Sequence, residues 1–426
     1  MKESKVFKLK NGLTLLFYKD STKHSMVANI IVKYGGINNE FIVDNQKHRT
    51  KDGIAHFLEH LLIEHSIYGN ALTHFNTKYI NTNGITNSRM TNFYIDTVSD
   101  FEDSLIELIN IVNIPHFTKE DVATTKYAII EEIRKNNDNK FRNLNKKTLS
   151  CLFKNIKYQN NLGTASTIKS LTYEEVKQCY DLFYQPSNQV IAICGNINIP
   201  KLKKLITKAY ENLNKEKIVY QIPDFNEPNE IVSKEGYVTE DINEEYVQIS
   251  YKINISALTN YEQVKLTFYL NYFLENNFDE SSDAYRKLIY QKISVHNITY
   301  SYYVIDKFII VEIGTYTSKK EEFVNLINST IKNKKFNEEF FQIRKNRTII
   351  ALLLREENPL DMLLPLVDNV IMYNYYENDK ISDIENYTFE DYQNLINKLD
   401  FTNYCITEIR KKEVKAPKEC IKASSN

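Results

Sequence analysis

The stretch from His56 to His60 holds two histidines and one glutamate in the order His-x-x-Glu-His. On a helix, residues i and i+4 share a face, so His56 and His60 would present two imidazole nitrogens to one metal ion. Glu59 would lie beside that face, where its carboxylate can act as general base for a water molecule without binding the metal. The pattern therefore predicts a zinc site with hydrolytic chemistry, in the inverted order of the commoner His-Glu-x-x-His motif.

The residues around the motif predict the helix that this chemistry requires, over 53–66. Asp52 is placed to cap its N-terminus. Apolar side chains recur at helical spacing, at Ile54, Phe57, Leu58, Leu61 and Leu62. The alternative is a buried helix with two core histidines, but each buried polar group would then need its own hydrogen-bond partner.

A second predicted helix, residues 119–137, offers the third protein ligand that catalytic zinc usually takes. Thr118 and Asp121 form a capping pattern at its start. An apolar stripe follows at Val122, Ile129, Ile130 and Ile133. Glu132 falls beside this stripe, whereas Glu131 points about 100° away, toward solvent. Glu132 is therefore the predicted third ligand, and Glu131 is the alternative.

The segment 52–60 resembles the central motif of the pitrilysin/insulinase-type processing peptidases. Their third metal ligand is a glutamate in a segment like Ala128–Ile133, so the resemblance also implies Glu132. Residues 83–89 are similar to the family's substrate-binding edge strand. Clear resemblance covers roughly residues 8 to 200, and the remainder matches in layout.

The resemblance implies zinc-dependent cleavage of peptides. The substrate would lie extended against an edge strand, where main-chain hydrogen bonds give affinity with little demand on sequence. The predicted substrate-binding residues are Asn83, Gly84, Ile85 and Thr86. Three polar residues near the motif, Glu64, His65 and His74, are interpreted as surface residues or as neighbours of the ligands.

The order of predicted elements favours an α+β fold. A hairpin is predicted around Gly12, between Val6–Leu9 and Leu13–Tyr18. Further strands are predicted at Met26–Tyr34, Phe93–Val98, Gln189–Cys194, Val247–Ile253 and Phe308–Thr315. Further helices are predicted at 101–113, 172–183, 261–276, 319–333 and 336–354.

The chain is predicted to divide into two similar halves. Residues 1–215 form the zinc-bearing half, residues 216–235 a polar linker that contains proline, and residues 236–426 the second half. Leu270–Asn276 takes the place of the zinc helix in the second half but has no histidine, so this half is predicted to be catalytically silent. The resemblance implies that the two α/β-sandwich halves close like a clamshell around a peptide.

Two departures from the family pattern bear on the site. Thr125 stands where many members carry a further glutamate, so weaker support of the metal is expected. The family's Arg and Tyr, seven residues apart in the second half, are missing. The residues seven positions before Tyr300, Tyr302 and Tyr303 are Ile293, Val295 and His296. We therefore expect the zinc-bearing subunit of a heterodimer whose homologous partner supplies Arg and Tyr, with a homodimer as the alternative.

The expected role is the processing of a precursor peptide, because bacterial two-chain members are in part encoded with bacteriocin maturation pathways. The alternative is a non-catalytic subunit that binds peptides within a two-chain processing peptidase. That reading predicts erosion of the motif, yet His56, Glu59, His60 and Glu132 are all present.

Composition limits the partners. The net charge is −1 and 26% of residues are charged, which gives no electrostatic case for binding nucleic acid or an anionic membrane. No apolar run approaches the length of a membrane span, and the N-terminus lacks the apolar region of a signal peptide. The five scattered cysteines are typical of reduced thiols, so a cytoplasmic location is predicted.

Overall fold

The computed structural model describes residues 2–137, 139–156, 161–213, 218–376 and 380–412. The strands of the first half are β1 (Lys2–Lys8), β2 (Thr14–Asp20), β3 (Met26–Val32), β4 (Glu40–Val43), β5 (Gln46–Arg49), β6 (Asn81–Thr86), β7 (Thr91–Thr97) and β8 (Gln189–Gly195). Its helices are α1 (Ile54–Glu64), α2 (Ala71–Asn76), α3 (Phe101–Asn113), α4 (Lys119–Asn137), α5 (Lys140–Leu152), α6 (Ala165–Ser170), α7 (Tyr173–Phe183) and α8 (Ile199–Asn212).

The second half begins with β9 and ends with the last strand that the structure describes. Its strands are β9 (Glu235–Glu240), β10 (Tyr246–Asn254), β11 (Thr299–Ile305), β12 (Phe308–Tyr316) and β13 (Tyr404–Lys411). Its helices are α9 (Asn260–Phe278), α10 (Asp283–Tyr290), α11 (Lys320–Lys332), α12 (Glu338–Arg355), α13 (Pro359–Tyr373), α14 (Lys380–Glu385) and α15 (Phe389–Asn397).

The two main sheets have the same topology. The first sheet has the order β1-β2-β8-β3-β7-β6, and the second has the order β11-β12-β10-β13-β9. In chain order, the five strands of the second half correspond to β2, β3, β6, β7 and β8 of the first half. With this correspondence the two sheets have the same strand order, and β1 is an extra edge strand of the first sheet. The corresponding pairs β2–β8 and β9–β13 are parallel, and the other pairs are antiparallel in both sheets. The α+β prediction with two similar halves is confirmed.

Each half contributes one helix that packs against the sheet of the other half. Helix α5 of the first half packs against β9 and β13 of the second sheet, and α13 of the second half packs against β3 and β8 of the first. The α13 residues in this contact are Leu363, Val367 and Val370, which bury against Leu16, Val27 and Ile31. The α5 residues are Leu149, Cys151 and Leu152, which bury against Phe308, Ile310 and Cys405. Burial of each such leucine contributes about 1.5–3 kcal/mol, so the halves are held together by apolar packing.

A buried ion pair fixes the segment between the halves. Lys252 Nζ on β10 lies 2.8 Å from Glu227 Oε1, and both side chains are 0% exposed. Glu227 also accepts backbone N–H bonds from Asn155 at 2.7 Å and Ile156 at 3.0 Å, just after α5. The carboxylate therefore ties the connecting segment to both halves. The predicted boundary at 215 lies outside the described residues, and the one at 235 stays a prediction.

The predicted elements agree with the observed ones to within a few residues, with one error in the cap. The residue that precedes α1 in the capping position is Gly53, at φ 93°, and no side chain caps the helix. Asp52 instead accepts a hydrogen bond from Asn39 Nδ2 at 2.9 Å. Gly53 packs so closely on Gly163 that a Cβ would lie 2.8 Å from its Cα, so glycine is required there.

Within the described residues, no helix combines the length and the apolar character needed to cross a bilayer.

Candidate active site

Helix α1 positions the three polar residues of the motif. Its apolar residues, among them Phe57, Leu58 and Leu61, belong to the core of the first half. His56 and Glu59 are buried with them, at 7% and 6% exposure. His60 lies one turn after His56, half-buried. The amphipathic spacing thus fixes the helix against the sheet and leaves the polar residues toward α4.

Helix α4 packs against α1 and brings Glu132 to the two histidines. Glu132 Oε2 lies 3.7 Å from His56 Nε2 and 3.5 Å from His60 Nε2. One ligand atom of each of the three residues lies within 4.8 Å of the others. Glu131 is exposed and forms an ion pair with Arg134 instead. Of the two adjacent glutamates, the structure brings Glu132 to the histidines and leaves Glu131 in solvent.

This donor set fits a zinc ion. Two imidazole nitrogens and one carboxylate oxygen are common protein ligands of catalytic zinc, which binds each at about 2.0–2.2 Å. Tetrahedral ligands at that bond length lie roughly 3.3 Å apart, close to the 3.5 and 3.7 Å separations from Glu132 Oε2. The ligand nitrogens of the two histidines lie within 4.8 Å of each other, so these rings would have to move closer together to bring all three ligands onto one ion.

The protonation of the two histidines differs. Burial, together with the nearby His60 ring, lowers the pKa of His56 to about 3, so His56 is neutral near pH 7 and able to bind metal. Burial also opposes the charged form of His60. The hydrogen bond to Glu64 and the surrounding carboxylates nevertheless raise the pKa of His60 above its ordinary value.

Glu59 has the surroundings of a base rather than of a ligand. Burial raises its carboxyl pKa and Glu132 adds to that increase, while a hydrogen bond from Thr86 and the His60 charge oppose it. Thr86 Oγ1 donates to Glu59 Oε2 at 2.6 Å. A Cβ at Gly84 would lie 2.9 Å from Glu59 Oε1. The carboxylate is thus held in place by β6, and glycine at 84 makes room for it.

The predicted substrate strand is β6, at one edge of the first sheet. Ile85 is 47% exposed, Asn83 is exposed, and Gly84 is buried beneath α1. Among the described residues, β6 pairs with β7 alone in the sheet. The unpaired edge of β6 therefore presents backbone groups beside Glu59. Thr86 also contacts Glu59 directly, which the strand pattern alone does not indicate.

The three neighbouring polar residues take different places. His60 Nδ1 lies 2.9 Å from Glu64 Oε1. His65 Nδ1 lies 3.0 Å from Asp121 Oδ1 on α4. His74 lies away from the candidate metal site, and its Nε2 is 3.1 Å from Glu107 Oε2. The i, i+4 spacing of His60 and Glu64 is a sequence signal for their contact.

The second half carries different side chains at the matching place. Helix α9 corresponds to α1, and α12 corresponds to α4, by their order in the shared topology. Tyr272 donates a hydrogen bond to Thr348 Oγ1 at 3.1 Å, and Glu275 forms an ion pair with Arg344. No His, Cys, Asp and Glu group of metal-binding geometry other than the first-half set occurs in the described part of the chain.

Comparisons with known proteins match both halves to one peptidase family. The model described as insulinase (peptidase family M16) matches residues 19–164, and the peptidase M16 inactive domain matches residues 170–346. The chain is 24% identical to the uncharacterized zinc protease YmfH of Bacillus subtilis, over 91% of this chain and 92% of that protein. It is 25% identical to the zinc protease PqqE of Helicobacter pylori, over 61% and 58% of the two chains.

Solved structures share the fold over nearly the whole chain. An M16-like peptidase from Alicyclobacillus acidocaldarius aligns with a TM-score of 0.83 and 20% identity, over 96% of this chain and 99% of that one. A protease from Helicobacter pylori aligns with a TM-score of 0.76 and 17% identity, over 97% and 100%. The clamshell arrangement of two similar halves expected from the sequence is thereby confirmed.

Proposed function

The chain belongs to the insulinase family, peptidase family M16, and on that premise we propose that it is a zinc endopeptidase that cleaves unfolded or short peptides. The observation that carries the proposal is the approach of His56, His60 and Glu132 to within 4.8 Å of one another, with Glu59 buried beside them. Three such ligands leave a position for water.

The proposed chemistry divides the work among four side chains. His56, His60 and Glu132 would hold the ion. Bound zinc would polarise the scissile carbonyl and lower the pKa of a water molecule. Glu59 would accept the proton of the attacking water and pass it to the leaving amine. Its raised carboxyl pKa favours the first transfer, because a stronger base accepts the proton of the water more readily, and it lets the protonated carboxyl persist nearer neutral pH until the amine leaves.

The proposed substrate path runs along β6. An extended peptide would add a strand to this edge and use backbone hydrogen bonds, which demand little of its sequence. Asn83, Gly84, Ile85 and Thr86 are the proposed contact residues. Thr86 would serve twice, since its hydroxyl also donates to Glu59. Such a path admits unfolded segments and excludes folded domains.

We propose that a homologous subunit completes the site with Arg and Tyr. Support comes from two of the three second-half tyrosines considered above, Tyr302 and Tyr303, whose hydroxyl groups are engaged internally. Tyr302 donates to the Thr267 carbonyl at 2.5 Å, and Tyr303 donates to Glu312 Oε1 at 3.0 Å. Neither hydroxyl is available to a peptide held at β6 of the first half. A homodimer is the alternative assembly.

The proposed biological role is the processing of a precursor peptide, such as removal of a leader in bacteriocin maturation. A cytoplasmic location is part of this proposal. Cys151, Cys179, Cys194 and Cys405 are buried thiols without a disulfide in the described part of the chain, which suits a reducing compartment.

The experiment that tests the function measures zinc content and cleavage of an unstructured fluorogenic peptide, by the chain alone and mixed with a homologous candidate subunit. One zinc per chain with cleavage only in the mixture supports the two-subunit peptidase. Cleavage by the chain alone keeps the peptidase and rejects the need for a partner. Zinc-free wild-type protein that binds peptide would favour the non-catalytic subunit.

A matched pair of variants tests the third ligand. Glu132→Ala should lose zinc and cleavage, whereas Glu131→Ala should keep both, because Glu131 is an exposed residue paired with Arg134. Equal zinc content in the two variants would contradict the assignment of Glu132.

A further inference from the structure

Glu64 contacts the candidate metal ligand His60 from the same helix. Its Oε1 lies 2.9 Å from His60 Nδ1, one turn further along α1. If Nδ1–H donates to this carboxylate, the lone pair of Nε2 is left free on the side of Glu132 Oε2, 3.5 Å away. Glu64 therefore selects the tautomer in which His60 can bind a metal through Nε2.

His56 has no comparable support. Its Nδ1 is buried without a hydrogen-bond partner among the described residues. The protein thus orients one imidazole of the pair through a carboxylate and leaves the other to packing alone. This asymmetry concentrates the control of ligand geometry on the His60–Glu64 contact.

A second layer ties Glu64 to α4, the helix that carries Glu132. Thr125 is 1% exposed, and its Oγ1 donates to Glu64 Oε2 at 3.5 Å, which is long for a hydrogen bond. His65 Nε2 lies 3.2 Å from the same Thr125 Oγ1, and His65 Nδ1 lies 3.0 Å from Asp121 Oδ1. The C-terminal end of α1 is thereby pinned to α4 beside the site.

The sequence suggested weaker support of the metal because residue 125 is threonine. In the structure a carboxylate other than the proposed ligand Glu132 nevertheless contacts His60, and it comes from α1 instead of α4. Thr125 Oγ1 faces that carboxylate, so the side chains of residues 64 and 125 meet at one location.

We propose that Glu64 is the positioning residue of the zinc site, which holds His60 in its metal-binding tautomer and so sets the affinity for zinc. The inference rests on the proposed zinc peptidase function. Carboxylates that orient a metal-bound histidine typically change metal affinity or activity 10–100-fold when they are removed.

The test is zinc affinity measured by competition with a chromophoric chelator, on the full chain. Glu64→Ala should weaken zinc binding about 10–100-fold, and the isosteric Glu64→Gln should weaken it less, because the amide oxygen still accepts from Nδ1. At saturating zinc, cleavage by the complete enzyme should show a lower kcat and an unchanged KM. Wild-type affinity in both variants would overturn the proposal.

The matched control is Glu107→Ala. It removes a similar carboxylate–histidine contact, to His74 at 3.1 Å, elsewhere in the same half, and should leave zinc affinity unchanged. Equal loss in Glu107→Ala and Glu64→Ala would mark a general effect on folding and would also contradict the proposal.

A rescue variant tests whether a carboxylate at residue 125 can replace the one at residue 64. Thr125→Glu should weaken zinc binding in the wild-type background, where two carboxylates would crowd together, and restore part of it in the Glu64→Ala background. Loss in both backgrounds would count against a shared role. If wild-type protein binds no zinc, the proposed function itself fails. If wild type binds zinc and Glu64→Ala binds it equally well, the positioning role alone fails.

Discussion

The two halves of the molecule share one topology and differ at the place where two helices meet. In the first half, α1 and α4 bring together His56, His60 and Glu132. In the second half, α9 and α12 bring together Tyr272 with Thr348 and Glu275 with Arg344. The second set pairs a hydroxyl with a hydroxyl and a carboxylate with a guanidinium, which is not a set of metal ligands, and it leaves Arg344 Nε and Glu275 Oε2 buried without a hydrogen-bond partner among the described residues. The first set has three converging acceptor atoms that one metal cation can satisfy together. The comparison shows that the backbone supplies a location and a few side chains decide whether chemistry occurs there.

The largest expected effect comes from removing the base that only the first half has. Glu59→Gln should lower kcat for a fluorogenic peptide by about 10²–10⁴-fold while zinc content stays at the wild-type level. The matched second-half variant, Glu275→Gln, should keep the wild-type kcat per folded molecule. Residual cleavage near wild type in Glu59→Gln would mean that the base lies elsewhere.

The next largest effect is on the ion pair that joins the halves. Glu227→Gln leaves Lys252 buried without its counter-charge and should lower the free energy of unfolding by about 3–5 kcal/mol at pH 7. Burial tends to raise the carboxyl pKa of Glu227, but the bond to Lys252 and three backbone N–H groups lower it overall. Its stabilising effect is therefore complete above the ordinary carboxyl pKa and is lost as the pH falls through the lowered one.

Urea unfolding of wild type and Glu227→Gln across this acidic range measures the effect. The difference in unfolding free energy between the two proteins should shrink as the pH falls below the ordinary pKa of a carboxylic acid. A difference that stays constant with pH would show that the charge of Glu227 is not what stabilises the connection.

The two helices that pack on the sheet of the opposite half, α5 and α13, allow a symmetrical test with a smaller expected effect on stability. Leu363→Ala on α13 and Leu152→Ala on α5 remove fully buried side chains from equivalent contacts and should each cost about 2–5 kcal/mol. Leu354→Ala on α12, where the side chain is 64% exposed, should change stability by less than about 0.5 kcal/mol. A large cost in only one of the two buried variants would show that the exchange is not equivalent.

The smallest expected effect comes from removing the hydrogen bond that Thr86 donates to the proposed base, Glu59. Thr86→Val removes the hydroxyl that lowers the carboxyl pKa of Glu59, so this pKa should rise further. Because the base acts in its ionised form, the acid limb of the kcat/KM profile should move to higher pH, with little change at the optimum. Thr86→Ser keeps the hydroxyl and should keep the profile. An acid limb that does not move in Thr86→Val would contradict the contact.

Local patterns carried much of the prediction. The apolar spacing around His56 and around Glu132 defined α1 and α4, and it separated Glu132 from Glu131 because neighbouring residues point apart on a helix. The cap at Asp52 was wrong because its carboxylate is used by Asn39, a contact that short-range pattern does not encode. The exchange of α5 and α13 was not predicted, since an amphipathic helix does not reveal which sheet it covers.

That exchange has a consequence for how the chain folds during its synthesis. The first sheet is complete in sequence once β8 has been made at Gly195, but the helix that covers its outer face begins only at Pro359. At ribosomal rates of about 5–20 residues per second, the apolar face formed by residues such as Leu16, Val27 and Ile31 stays uncovered for on the order of ten seconds. The nascent chain therefore passes through a long interval in which this surface is open to chaperones and to aggregation, and the first half reaches its final form only after α13 has been made.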